Sequence, residues 1–101
     1  MKLNVKTLDS FFDETGRSQV IDFPFEQITV EELITRKVHQ EVPSSSSEPP
    51  TQHVQAALTA FESNGYVILI NNQQETDLNS TITITPNTSI VFIKLTPIVG
   101  G

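Results

Sequence analysis

Cysteine is absent from this 101-residue chain. That removes disulfide bonds, thiolate metal sites and cysteine nucleophiles together, and it leaves the redox compartment open. Positive charge is scarce: six Lys and Arg stand against twelve Asp and Glu, a net charge of −6. A nucleic-acid-binding surface needs a basic footprint to displace counterions, so the charge balance argues against that class of function. The same acidity suits a partner with a basic surface and is also an ordinary level of charge for solubility. No apolar run approaches the roughly 18 residues of a transmembrane helix. The opening Met1-Lys2-Leu3-Asn4-Val5 alternates instead of forming the apolar block of a signal peptide. The expectation is a soluble, cytoplasmic chain of one domain with a single core.

What is present is patterned. Lys2-Leu3-Asn4-Val5-Lys6-Thr7-Leu8 alternates, with Leu3, Val5 and Thr7 on one face, as a half-buried strand does. Gln19-Val20-Ile21-Asp22-Phe23 reads as a second strand closed by Pro24. The turn formers between them, set around Phe11-Phe12, make the pair a hairpin. Thr29-Val30-Glu31-Glu32 has the form of a capping box, and Val30, Leu33, Ile34, Val38 and Val42 then recur at helical spacing. This predicts a helix over Val30–Glu41 with Glu31, Arg36, Lys37 and Gln40 on its polar side, ended by Pro43. Residues 44–51, Ser-Ser-Ser-Ser-Glu-Pro-Pro-Thr, bury too little apolar surface to offset their ordering entropy and are expected to be a mobile surface loop. Val54, Ala57, Leu58 and Phe61 predict a second helix over 52–62, ended by Asn64-Gly65. Tyr66-Val67-Ile68-Leu69-Ile70, apolar throughout, reads as a central strand. Residues 71–80 read as a polar connection, Thr81-Ile82-Thr83-Ile84-Thr85 as a strand, and Ile90-Val91-Phe92-Ile93-Lys94-Leu95 as the last strand.

This order predicts an α+β fold: a mixed sheet of about five strands, one main helix, and a second, shorter helix packed on it. The last strand is expected beside the first, parallel, in the centre of the sheet. That is the β-grasp arrangement. Residues 1–96 would form the domain and 97–101 a flexible tail, Pro97-Ile98-Val99-Gly100-Gly101. Glycine has no Cβ, so a Gly-Gly end can pass through a slot closed to larger residues and deliver a carboxylate into another protein's active site.

Three segments resemble the ubiquitin-like β-grasp sulfur carriers, and most closely the small subunits of molybdopterin synthase. Pro97-Ile98-Val99-Gly100-Gly101 is similar to that family's Pro-Val-small-Gly-Gly ending. Thr29-Val30-Glu31-Glu32-Leu33-Ile34 resembles its Thr-Val-x-Glu-Leu-Leu helix start. The stretch from Leu8 to Gly16, with Phe11 and Phe12, stands where the family has its first-hairpin connection. The turn Pro86-Asn87-Thr88-Ser89 departs from the family's Gly-Asp. The loop at 44–51 looks like an insertion. These departures suit a divergent relative, a group that includes the bacterial ubiquitin-like modifiers, which share the fold and the Gly-Gly end.

The resemblance implies that Gly101 is the reactive end. A ubiquitin-activating-type enzyme would use ATP to adenylate its carboxylate. The product would then carry sulfur as a thiocarboxylate, with no bound cofactor of its own, or be conjugated to amines of target proteins. Gly100 and Gly101 would supply slimness, Pro97 a stiff root, and Ile98 and Val99 apolar grips for a partner's channel. The chain would then be a substrate or carrier and not itself an enzyme, with an adenylating enzyme, the large subunit of a sulfur-transfer complex or conjugation targets as partners. The alternative is a β-grasp protein-binding module with no acyl chemistry at its end.

Other residues have plainer explanations. A capping box accounts for Thr29 and Glu32 without a nucleophile and base. His39 and His53 are separated by the serine-rich loop, whereas metal ligands converge. Glu31, Glu32, Glu41 and Glu48 read as a solvated face or an acidic docking face. Phe11-Phe12 would plug the core or form a partner-binding knob. Lys2, Lys6, Lys37 and Lys94 are ordinary surface lysines, or acceptors if the protein modifies itself.

Overall fold

The computed structural model describes residues 1–9, 16–41 and 50–95. Strands β1 (Lys2–Leu8) and β2 (Arg17–Asp22) form the antiparallel hairpin expected from their alternation. Gly16 leads into β2 at φ 61°, where an added Cβ would lie 2.5 Å from Leu8 Cδ2 and 2.9 Å from the Thr7 carbonyl oxygen, so glycine is required on both counts. A short β3 (Gln27–Thr29) runs straight into α1 (Val30–Glu41); α2 (Pro50–Glu62), β4 (Tyr66–Ile70), β5 (Gln73–Glu75), β6 (Thr81–Thr83) and β7 (Ile90–Lys94) follow.

The main sheet has five strands in the order β2-β1-β7-β4-β5. β7 lies between β1, to which it is parallel, and β4, to which it is antiparallel. Leu3, Val5, Ile21, Ile68, Ile70, Ile90 and Phe92 point to the face that the helices cover, where they join Val30, Leu33, Ile34, Val38 and Phe61 in one core. Val67 and Ile93 point the other way and are buried too, which explains why β4 and β7 are apolar at almost every position.

Strand membership differs from the sequence reading. β6 leaves the main sheet to pair with β3 in a separate two-stranded sheet, with Ile28 opposite Ile82. Its place is taken by β5, from within the polar stretch after Ile70. Asn71 and Asn72, at φ 52° and 68°, close a two-residue hairpin there, the conformation whose twist matches that of the flanking strands. The second helix is also not the shorter: α2 has 13 residues and α1 has 12. It begins at Pro50, two residues before the expected start, because proline is well suited to a first helical position whose N–H has no intrahelical partner.

Both helices have well-made ends. The first three N–H groups of α1 donate to Ser80 O (3.0 Å), Leu78 O (3.1 Å) and Thr29 Oγ1 (3.1 Å). Thr29 therefore caps as its position predicts, while the Glu32 carboxylate turns to Arg36 Nε at 2.8 Å. At the end of α2, Asn64 takes the left-handed conformation at φ 61°, and Gly65 N–H reaches back to Ala60 O at 2.7 Å. Thr29→Ala is expected to lower stability by about 1 kcal/mol, read from the denaturant midpoint, with Thr29→Ser close to wild type. A wild-type midpoint for the alanine variant would refute the cap.

Candidate functional site at the end of the central strand

Parallel pairing brings the last residues of β1 and β7 to one end of the sheet, and the antiparallel β4 starts there. Leu8, Lys94 and Tyr66 therefore share that end. Leu95 follows β7 and donates its N–H to Gly65 O at 3.1 Å. Pro97, Ile98, Val99, Gly100 and Gly101 lie outside the described residues, as do Phe11, Phe12 and residues 42–49.

Between this end of the sheet and the two helices lies a pocket of about 160 Å³, walled by Val38, Ala57, Tyr66 and Phe92. Lys37, expected on the polar side of α1, is buried in its wall at 7% exposure. Its position follows from helix geometry. Lys37 stands one turn after Leu33 and Ile34 and beside Val38, so its four-carbon stem covers core surface while its ammonium seeks partners. Those partners are the Glu41 carboxylate one turn on and the Phe92 ring, whose centroid is 4.9 Å from Nζ.

Tyr66 donates its hydroxyl to Ala57 O at 2.8 Å, tying β4 to α2. Its ring centroid is 5.8 Å from those of both Phe61 and Phe92. Burial pushes the Tyr66 phenol well above its ordinary range, and the Glu41 carboxylate adds to the shift. Thr7 projects into the same pocket from β1; its hydroxyl is buried without a hydrogen-bond partner.

A second pocket, of about 480 Å³, adjoins the first and shares Thr7, Lys37, Glu41 and Lys94 with it. Its outer wall is Arg17, Ser18 and Gln19 of β2, and the Gln19 side-chain amide nitrogen is buried without a partner. Arg17 and Lys94 each approach Asp9 Oδ1 at 3.7 Å.

The remaining candidates do not gather here. Thr29 and Glu32 are used by the cap and the Arg36 pair. His39 is exposed and His53 half-buried, and among the described residues no group of three or more His, Asp or Glu side chains converges as a metal site would. Of the acidic set, Glu32 is paired with Arg36 one turn on, Glu41 with Lys37 one turn back, and Glu31 is exposed, whereas Glu48 lies outside the described residues. Among the described residues no helix is long and apolar enough to cross a membrane. The pocket residues escaped the sequence reading because Thr7, Lys37, Tyr66 and Phe92 come from four separate elements. The one available signal was Lys37, spaced with the apolar stripe of α1. No protein-family model, curated protein or solved structure matches the chain.

Proposed function

We propose that this chain is a cytoplasmic β-grasp, ubiquitin-like carrier whose Gly101 carboxylate is activated by a partner enzyme. The observation that carries this reading is the sheet order β2-β1-β7-β4-β5, with β1 and β7 parallel at the centre and α1 across one face. That order is compatible with a β-grasp, and the central strand β7 directly precedes Leu95 and then Thr96-Pro97-Ile98-Val99-Gly100-Gly101 in the sequence. Support also comes from Leu95, which immediately precedes these residues and is tied to the body by its hydrogen bond to Gly65 O.

In this reading the partner binds ATP, and the Gly101 carboxylate attacks its α-phosphorus. Pyrophosphate leaves and an acyl-adenylate remains. A sulfide-level donor attacking the acyl carbon expels AMP and leaves a thiocarboxylate; alternatively, a partner thiol forms a thioester that an amine converts to an amide. The described residues perform none of these bond changes; they present the end.

Mass spectrometry of the protein recovered from its own cells tests the proposal. Replacement of one Gly101 oxygen by sulfur identifies a sulfur carrier. A Gly-Gly remnant on lysines of other proteins identifies a conjugated modifier. A plain carboxylate with neither, in cells active in such chemistry, favours a binding module and sinks the carrier reading. So does a chain that continues past Gly101 without processing.

If the protein modifies itself, its four lysines are not equivalent. Lys2 and Lys94 are exposed and Lys6 is half-buried, but Lys37 is buried and engaged by Glu41 and Phe92. Remnants are expected on Lys2, Lys6 or Lys94 and absent from Lys37 in peptide mapping. A remnant on Lys37 in folded protein would contradict the buried placement of its amine.

A further inference from the structure

We propose that the two adjoining pockets at the end of β7 form one binding site for a small organic carboxylate whose apolar body is about the size of a six-membered ring. The inference does not depend on the acyl chemistry of Gly101. The first pocket supplies space and walls: about 160 Å³ between Val38, Ala57, Tyr66 and Phe92. A cavity of roughly 150 Å³ with apolar walls is enough to admit benzene. The second supplies the means to hold an anion. Arg17, Lys37 and Lys94, half of the six Lys and Arg in a chain of net charge −6, line it. Among the described residues their carboxylate partners are Glu41 and Asp9, so three cations meet two anions there.

Two further groups point to a ligand at the junction. The Thr7 hydroxyl and the Gln19 amide nitrogen are both buried and unpartnered, and a buried donor without an acceptor is costly unless something supplies one. Thr7 lines both pockets. A carboxylate seated there would accept from Thr7 and Gln19 and face Lys94 and Arg17, while its ring filled the space beside Tyr66 and Phe92. The Asp9 contacts at 3.7 Å are loose enough for Arg17 and Lys94 to turn toward such a ligand.

The protein carries its own reporter, because Tyr66 is its only tyrosine and tryptophan is absent. Cyclohexanecarboxylate, which does not absorb where tyrosine is excited, is the probe. A saturable change in Tyr66 fluorescence is expected. Cyclohexanol, with the same ring and no charge, is expected to bind more weakly by at least about fivefold, as is cyclohexanecarboxylate to the double variant Arg17→Gln/Lys94→Gln. Ala57→Leu, which fills the first pocket from a helical position, should abolish the response while the far-ultraviolet circular dichroism persists. No saturable change with the wild-type protein overturns the proposal. Equal binding of cyclohexanol overturns the anion half, and a response unaffected by both variant proteins moves the ligand elsewhere and overturns the whole.

Discussion

If Gly101 is the activated end, removing it, or adding one alanine after it, is expected to reduce adenylation to below about 1% of the wild-type rate while leaving the unfolding transition unchanged. Gly101 stands six residues beyond Leu95. At ~3.3 Å per residue such a segment reaches at most roughly 20 Å, and one residue fewer withdraws the carboxylate by a full residue length. A reacting atom misplaced by about 1 Å already costs on the order of a hundredfold, so a partner that closes on Gly-Gly has no means of compensating. The added alanine moves the carboxylate the other way and puts a Cβ where glycine leaves none. Stability should not follow, because the Leu95 to Gly65 hydrogen bond and the core are the same in both variants. ATP–pyrophosphate exchange with the activating enzyme measures the first effect and thermal unfolding the second. Exchange at the wild-type rate in both variants would remove Gly101 from the chemistry.

The largest effect on stability is expected from Phe92→Ala. Phe92 lies in the central strand, opposite Thr7 on one side and Ile68 on the other, and is 5% exposed. Its ring meets Tyr66 and carries the Lys37 ammonium. Truncating a buried phenylalanine costs about 3–5 kcal/mol, against a total of roughly 5–15 kcal/mol for a domain of this kind. The melting temperature should fall by more than about 10 °C. The loss has two sources: the emptied volume, and a buried ammonium deprived of its aromatic face and left to Glu41 alone. Phe92→Leu keeps most of the volume and discards the ring, so the difference between the two variants separates packing from the cation–π contact. A loss under about 1 kcal/mol for the alanine variant would mean that the ring does not bridge core and pocket as described.

Much of the architecture is legible in local pattern. The alternation of Leu3, Val5 and Thr7 correctly assigns the inner face of β1, and the spacing of Val30, Leu33, Ile34 and Val38 correctly assigns the buried face of α1. Thr29 signals the start of that helix because its hydroxyl sits within reach of a backbone donor three residues on, a relation that needs no tertiary information. The parallel neighbours β1 and β7 follow from element order and the need to bury an apolar last strand.

The misses are of another kind. β5 is polar, Gln73-Gln74-Glu75, and is a strand because the Asn71-Asn72 turn folds it onto β4. β6 alternates as cleanly as any strand in the chain, yet nothing local distinguishes pairing with the main sheet from pairing with β3. Lys37 carries a charge that a residue-by-residue reading assigns to solvent. Its burial depends on Glu41, Phe92 and the length of its own stem acting together.

The sequence by itself determined the number and faces of the principal elements, the cap of α1 and the Gly-Gly at 100–101, because each depends on covalent order or on neighbours within one turn or one strand. Only the tertiary structure decided which strands share a sheet, where Lys37 ends, and that Thr7, Gln19, Tyr66 and Phe92 border adjoining pockets. Those outcomes rest on contacts between residues far apart in the chain, and such contacts exist only once the sheet has closed and both helices have packed on it.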